Sequence, residues 1–257
     1  MANPKIATIV PLAHLDLIKD DDYFMALSYA IDNKDYAGFF AERAGEGKHV
    51  ILDNSAVELG EPENFVTYLD KAQSIHASEI MLPDIFQDAE ETIHEASKSL
   101  PKIKSKYHFD LMIIPQGKTL NEWMACKDEL ENLALPYCKW METELHVGVS
   151  ARYTDLFGGS RMRVIDFADS TQIHFLGCYA NPIEEIQPIL DLWMVCGIDS
   201  SYPSVFAKNG LILSAESIAM PRPMTKLDLL NDVYNSDLLR SNIRMWRSAC
   251  RNDNQTT

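Results

Sequence analysis

Residues 197–210 read GIDSSYPSVFAKNG, and this stretch decides how the rest of the chain is interpreted. Asp199 comes directly after the apolar run 195–198 and before a loop-like segment punctuated by Pro203 and Gly210. An aspartate in that position predicts a short strand with a carboxylate at its carboxyl end, where the active sites of strand–helix barrels lie. The alternative is a helix-capping or turn aspartate, and the stretch alone does not choose between the two.

Short apolar runs alternate with longer amphipathic stretches along most of the chain. The pattern predicts strands at residues 6–12, 49–52, 79–82, 109–114, 145–149, 173–179 and 195–199, with 211–213 as the candidate for an eighth. It predicts helices at residues 23–31, 36–43, 88–99, 120–133, 161–168 and 182–195, and another that opens at Pro62. Repeated strand–helix units of this kind predict an α/β fold, a (β/α)8 TIM-type barrel.

The chain has 257 residues and is 46% hydrophobic, which is enough to bury one large core. Neither an internal repeat nor a low-complexity linker divides it, so we expect a single domain over residues 1–257. Residues 225–250 are expected to form a C-terminal helical extension of two stretches broken near Asn235. The last residues, from Asn252 onward, are expected to be disordered.

The formal net charge is −15, from 23 basic and 38 acidic residues. A balance this acidic argues against broad attraction to nucleic acid or anionic membranes, so any nucleic-acid contact has to be local. The five cysteines are widely spaced and form no zinc-type cluster, which favours reduced thiols, no metal and no cofactor. Without a signal-like start or a long apolar run, we expect a cytoplasmic protein with no membrane association.

Polar groups follow several of the predicted strands. These are Asp53, Asp84, Gln116 and Asp199, together with the open backbone at Gly148. The carboxyl ends of parallel strands share one rim of a barrel, so these groups are expected to converge on one pocket. Three carboxylates there would raise at least one pKa and allow one to ionise while another holds a proton. Each also has an ordinary interpretation as a cap or turn residue, and His146 and His174 are interpreted as structural.

Carboxylates without metal ligands or a phosphate-binding loop suit substitution at the anomeric carbon of a sugar. One carboxylate would act as nucleophile and another would move a proton. The sequence holds no glycine-rich phosphate cradle and no Gly-x-Ser-x-Gly elbow, so redox and kinase-like functions are disfavoured.

Four stretches in this order resemble the tRNA-guanine transglycosylase superfamily: LDNSA at 52–56, IPQG at 114–117, HFLGCYANPIEE at 174–185, and the run 197–210. The resemblance implies a (β/α)8 barrel that exchanges guanine in nucleic acid for a 7-deazaguanine. It implies Asp199 as the nucleophile and Asp53 as the general acid/base. It also implies base recognition by Asp84, Gln116, Gly117, Gly148 and Val149.

The sequence departs from the family pattern in several places. Val205 stands where an arginine is expected, Ser200 replaces a cysteine, and Tyr153 replaces a glutamate. No zinc-binding motif follows Gly210. The chain is therefore closest in type to the short, zinc-free DNA 7-deazaguanine transglycosylases of phages and some bacteria, which would place it in the host cytoplasm if it is phage-encoded.

The implied partners are DNA in preference to tRNA, a free 7-deazaguanine base, and a second copy of the chain in a homodimer. Phosphate contacts are expected from seven cations: Lys208, Arg152, Arg161, Arg163, Arg240, Arg244 and Arg247. A solvated helix face is the alternative for the last three. Three other functions stay open: the same chemistry on tRNA, a non-catalytic transglycosylase partner, and an unrelated barrel hydrolase or lyase acting on a small metabolite.

Overall fold

A computed structural model describes the protein over residues 4–103, 107–157, 161, 164, 171–177, 188, 192–219 and 223–251. The helices predicted at 161–168 and 182–195 fall largely outside these residues, and the segment from Asn252 onward, expected to be disordered, lies wholly outside them. No helix in the described ranges combines the length and apolar character that a bilayer-spanning segment needs.

Eight strands form one parallel sheet that is rolled into a nearly closed barrel. They are β1 (Lys5–Thr8), β2 (Tyr23–Leu27), β3 (His49–Asp53), β4 (Glu79–Met81), β5 (Asp110–Ile113), β6 (Leu145–Ser150), β7 (Gln172–Leu176) and β8 (Val195–Ser200). Parallel ladders join them in the order β1-β8-β7-β6-β5-β4-β3-β2, and β1 lies alongside β2 where the sheet closes. The predicted (β/α)8 barrel is confirmed.

Strand β2 occupies a segment for which the sequence predicted a helix. All five of its residues are buried, since one face meets the barrel interior and the other meets the surrounding helices. A strand buried on both faces lacks the alternation of apolar and polar residues, so its pattern resembles that of a buried helix. With β2 in place, residues 211–213 are not a strand, and β8 is the one that ends near Asp199.

The described α-helices are α1 (Lys34–Gly45), α2 (Ala56–Leu59), α3 (Phe65–Ser74), α4 (Ala89–Ser99), α5 (Leu120–Met141), α6 (Tyr153–Leu156), α7 (Tyr202–Lys208) and α8 (Ser236–Ala249). Short 3-10 helices span Leu12–Ile18, Ser28–Ala30, Leu100–Lys102 and Ser217–Ala219. Side chains cap α4 and α5, because Asp88 accepts from the Glu91 amide and Thr119 accepts from the Glu122 amide. Helix α3 begins later than Pro62, behind an Asn64 cap.

Two expectations for the carboxyl-terminal half need correction. The segment after Ser201 is helix α7, with Pro203 in its first turn, rather than a loop. Residues 225–235 are not helical, because the Asp228 side chain accepts from the amides of Leu230 and Asn231 and folds this segment into a turn. Helix α8 packs on α7, with the Trp246 ring stacked on Tyr202 at 5.7 Å, and so belongs to the layer around the barrel.

The core has two parts. Apolar side chains between sheet and helices form the larger one, and a smaller cluster, including Met25, Ile51 and Met112, fills the barrel interior. The interior also contains buried polar side chains, among them Glu79 and His174. Barrel interiors are usually filled by branched aliphatic side chains, so these polar residues point to a specific role.

Candidate active site

The three predicted carboxylates lie at the carboxyl ends of their strands. Asp53 is the last residue of β3, Asp199 is the next-to-last residue of β8, and Asp84 follows β4 by three residues. Burial raises the pKa of Asp53 well above its usual value, and the negative charges of Glu58, Asp199 and Asp84 raise it further. Since such charges act over short distances, the carboxylates share one site at this rim.

Asp199 is buried and held by two partners, one in β7 and one directly after it. Its Oδ1 atom accepts a hydrogen bond from the Gly177 amide at 3.1 Å and lies 3.2 Å from His174 Nε2. Gly177 adopts a positive φ of 66°, a conformation that side-chain-bearing residues rarely adopt. The end of β7 therefore presents two donor positions to one carboxylate oxygen.

His174 was interpreted from the sequence as a structural histidine, but its ring contacts the predicted nucleophile. It is fully buried, and its second ring nitrogen lies 3.0 Å from the Tyr23 hydroxyl. Tyr23 was not identified at all, because it falls in the segment assigned to a helix. The alternation of side chains along β7 and the pairing of His174 with β8 are the signals that place the ring inside the barrel.

Asp53 opens a tight turn that fixes its carboxylate. The Ser55 amide donates to Asp53 Oδ1, and Ser55 has a left-handed backbone with φ of 55°. The Ser55 hydroxyl is in turn bound by the Tyr29 amide at 3.3 Å. The sequence Asp-Asn-Ser therefore forms a turn that orients the Asp53 side chain. Asp53 can thus be both a turn residue and a carboxylate of the site.

Glu58 is a fourth carboxylate of the rim, and the sequence pattern does not predict it. It lies on α2, directly after the Asp53 turn, and its charge acts on Asp53. Burial raises the pKa of Glu58, with a contribution from Asp199, while Lys226 and Arg152 act in the opposite direction. The sequence shows only that Glu58 follows Asp53 closely in the chain. Many surface glutamates also lie near an aspartate, so this spacing does not identify a site residue.

Asp84 and Gln116 form a shared polar network. Asp84 accepts from Asn54 Nδ2 at 2.8 Å and from Gln116 Nε2 at 2.7 Å. The Gln116 carbonyl accepts from the Tyr153 hydroxyl, which accepts from the Gly117 amide at 3.1 Å. Burial raises the pKa of Asp84 to about 6, although hydrogen bonds from Asn54 and Gln116 oppose the shift. Tyr153, which stands where the family pattern has a glutamate, thus holds the Gln116 side chain in place.

Gly148 and Val149 lie in β6, next to β7. At Gly148, a methyl group would approach Leu176 and Met112 to 2.8 and 2.9 Å, so the backbone itself borders the barrel interior. The Val149 carbonyl accepts from Arg161 at 2.6 Å. The expected contact of this backbone with a base stays a prediction.

The expected phosphate contacts of two cations do not match their positions. Arg161 is fully buried and donates to the carbonyls of Val149, Leu176 and Gly177, so it ties β6 to β7 instead of facing a phosphate. Lys208 is bound by both carboxylate oxygens of Asp232, at 2.7 and 2.8 Å. Arg163 lies outside the described residues.

Arg152 is an exposed cation that lies near the rim carboxylates, and the charge of the exposed Lys226 also acts on Glu58. Its guanidinium sits 4.8 Å from the centre of the exposed Phe86 ring, and its charge lowers the pKa of Asp84. The location of Arg152 therefore agrees with a role in substrate binding.

The arginines of α8 extend away from this rim. Arg247 forms an ion pair with Asp21, which precedes β2 and so lies at the amino end of the barrel. Arg240 pairs with Asp237 at 2.7 Å, and Arg244 borders a surface cavity with Asp16 and Asp20. All three arginines have acidic neighbours, which disfavours the expected contact with the phosphates of a nucleic acid. The argument is strongest for Arg247, which lies at the opposite end of the barrel from the carboxylates.

In the described part of the chain, the one group of potential metal ligands with closely spaced atoms is Glu91, His94 and Glu95 on α4. It is largely exposed and includes none of the rim carboxylates. Acidic side chains at a surface are common without a metal, so no role in the site follows from this group.

No protein-family model matches the chain, and no curated protein matches it. Solved structures with similar folds include a family 2 AP endonuclease from Brucella melitensis, with a TM-score of 0.52, 10% identity, and coverage of 77% of this chain and 93% of that chain. A D-allulose 3-epimerase from Methylomonas sp. has a TM-score of 0.50 and 11% identity, and covers 97% of this chain and 100% of that chain. A mutant tryptophan synthase alpha-subunit from Pyrococcus furiosus has a TM-score of 0.50 and 9% identity, and the match spans 96% of this chain and 100% of that chain. Identities this low show the fold alone.

Proposed function

We propose that the protein is a base-exchange transglycosylase that replaces guanine in DNA with a 7-deazaguanine. The observation that carries the proposal is the pairing of two unlike carboxylates on one rim. Asp199 is buried beneath hydrogen-bond donors, whereas Asp53 has a pKa raised by burial and by neighbouring negative charge. Such a pair supplies a positioned nucleophile and a protonated acid in the same pocket.

The reaction takes place in two displacements. Asp199 attacks the anomeric carbon, the bond from that carbon to guanine breaks, and Asp53 gives its proton to the leaving base. The incoming 7-deazaguanine then attacks the same carbon and breaks the ester bond to Asp199, while Asp53 takes up the proton that this base loses. The carboxylates return to their starting states, and no oxidant or reductant is needed.

Base recognition is assigned to the network beneath the rim. Asp84 and Gln116 are held by each other and by Asn54 and Tyr153, so their polar atoms are fixed before a base arrives. Asp84, Gln116 and the backbone of Gly117, Gly148 and Val149 would contact the polar edge of the base. A buried polar site of this kind rejects a base that lacks the matching groups.

The charge distribution favours a second candidate, in which the same chemistry acts on a free nucleoside or another small glycoside. Arg161 is buried, Lys208 is paired, and Arg247 lies at the amino end of the barrel. Arg152 and Lys226 are exposed cations whose charge acts on the rim carboxylates, and two such cations provide little charge to hold a polyanion. A small substrate needs no larger basic surface.

The test is incorporation of a labelled 7-deazaguanine into DNA, tRNA and free guanosine, assayed side by side. We expect incorporation into DNA, and the Asp199→Asn variant should lose more than about 10³-fold in rate because the covalent route is gone. Asp70→Asn is the matched control, since Asp70 is an exposed aspartate on α3. Label in tRNA or guanosine instead would change the substrate. Equal rates for Asp199→Asn and wild type would overturn the role of Asp199.

A further inference from the structure

A buried hydrogen-bond chain leads away from Asp199 into the barrel interior. The Tyr23 hydroxyl lies 3.0 Å from His174 Nδ1, and His174 Nε2 lies 3.2 Å from Asp199 Oδ1. The three side chains come from β2, β7 and β8, and all are at most 5% exposed. A buried donor or acceptor that loses its hydrogen-bond partner destabilises the fold. The three side chains therefore depend on one another, although they are far apart in sequence.

The positions of the hydrogens follow from the partners. Burial raises the pKa of Tyr23 well above its usual value, so the phenol stays neutral and keeps its proton. Because Nε2 of His174 faces a carboxylate, that nitrogen has to carry a hydrogen. In the neutral ring, Nδ1 is then bare and accepts from the Tyr23 hydroxyl. The network therefore assigns His174 the Nε2–H tautomer.

Gly197 provides an independent sign that this contact is built into the barrel. It lies two residues before Asp199 on β8 and is paired with His174 in the ladder. A methyl group at Gly197 would come within 2.5 Å of the Tyr23 oxygen and 2.7 Å of His174 Nδ1. An alanine would thus collide with the two atoms that form the hydrogen bond.

We infer that Tyr23 and His174 are positioning residues that hold the carboxylate of Asp199 in a fixed orientation as the nucleophile. The inference rests on the proposed function for the role of Asp199 as nucleophile, but not for the hydrogen-bond chain. His174 supplies the donor to Oδ1, and the Tyr23 hydroxyl stabilises the tautomer that has this donor by donating to the bare Nδ1. Together with the Gly177 amide, they restrict rotation of the carboxylate and orient it toward the rim.

The first measurement is the nitrogen-15 NMR spectrum of the histidine rings in the wild-type protein, with His174 assigned through its connectivity to the Phe175 amide. We expect a protonated Nε2 and an unprotonated Nδ1 at neutral pH, and loss of this pattern in Tyr23→Phe. The Nδ1–H tautomer in wild type would overturn the inference. This readout needs no substrate, so it remains valid if base exchange itself is disproved.

The second measurement compares kcat and KM for base exchange. Tyr23→Phe and Gly197→Ala should each lower kcat by about 10²-fold while KM changes less than about twofold, because misplacing the nucleophile acts on the chemical step. Gly38→Ala is the matched control, since a methyl group there meets nothing within 4 Å. A kcat within twofold of wild type in Tyr23→Phe would contradict a positioning role.

A conservative series separates positioning from simple filling of space. His174→Gln keeps an amide donor near Asp199, whereas His174→Leu keeps only bulk. We expect His174→Gln to retain at least about tenfold more kcat than His174→Leu. Equal kcat values in folded proteins, checked by circular dichroism, would show that His174 only fills space and would overturn the inference.

Discussion

At the scale of single residues, Glu58 shows how one rim carboxylate controls another. Glu58 and Asp53 are separated by a single tight turn, and the Glu58 charge is the largest electrostatic contribution to the raised pKa of Asp53 after burial. In the proposed reaction Asp53 has to be protonated to act on the leaving base. Glu58 therefore helps to keep the acid in its active form.

Removing the Glu58 charge should shift the pH dependence of the reaction. In Glu58→Gln the pKa of Asp53 falls, because one source of negative charge is lost, so Asp53 ionises at lower pH than in wild type. The basic limb of the kcat/KM profile should move to lower pH, with a loss of about three- to tenfold on that limb.

The control for this change is Glu61→Gln, an exposed glutamate shortly after α2. Its pH profile should match that of wild type. A basic limb that stays in place in Glu58→Gln would contradict the role of Asp53 as the acid.

At the scale of elements, Arg161 joins the carboxyl ends of β6 and β7. Its guanidinium donates to three main-chain carbonyls at 2.6 to 2.9 Å and lies 4.8 Å from the centre of the Phe175 ring. One of these carbonyls belongs to Gly177, whose amide holds Asp199. The strand ends that carry the site are thus fixed by a buried cation.

Replacing Arg161 should destabilise the fold more than replacing an exposed arginine. Arg161→Met leaves three carbonyls without this donor, and we expect the free energy of unfolding to fall by at least about 3 kcal/mol. Chemical denaturation measures the change. Arg152→Met, at the exposed arginine of the rim, should stay within about 0.5 kcal/mol of wild type. A loss below about 1 kcal/mol in Arg161→Met would contradict this assignment.

At the scale of the whole molecule, a charged layer crosses the amino half of the barrel. Glu79 is fully buried and bridges His49 at 3.0 Å and His146 at 2.8 Å, with Asp110 and Glu144 nearby. Burial alone would raise the pKa of Glu79, but the two histidines outweigh it and hold the pKa at about 2. Burial alone would lower the pKa of His146, but Glu79 outweighs it and raises the pKa to about 8.

These shifts predict a stability maximum in mildly acidic solution. The contribution of Glu79 is present above its unfolded pKa and is lost as pH falls toward about 2. The contribution of His146 is complete below its unfolded pKa of about 6.5 and is lost as pH rises through about 8, a change on the order of 2 kcal/mol. Unfolding free energies measured from pH 6 to 9 should therefore decrease.

Glu79→Gln should flatten this decrease, because the partner that holds the His146 proton is removed. Glu129→Gln, an exposed glutamate on α5, should leave the decrease unchanged. If wild-type stability rises from pH 6 to 9, the ion pair does not act as described, whether or not the Glu79 variant folds.

The sequence by itself determined the barrel and the strand ends that carry Asp53, Asp84, Gln116 and Asp199, because apolar runs and helix caps are local features. Strand β2 was missed, since burial on both faces removes the alternation that identifies a strand. Only the tertiary structure decided which residues meet at the rim and beneath it. The curvature of the sheet brings Tyr23, His174 and Gly197 to Asp199, and Arg161 is withdrawn from solvent for the same reason. Contacts between strands distant in sequence have no local signal, because they depend on how the sheet closes.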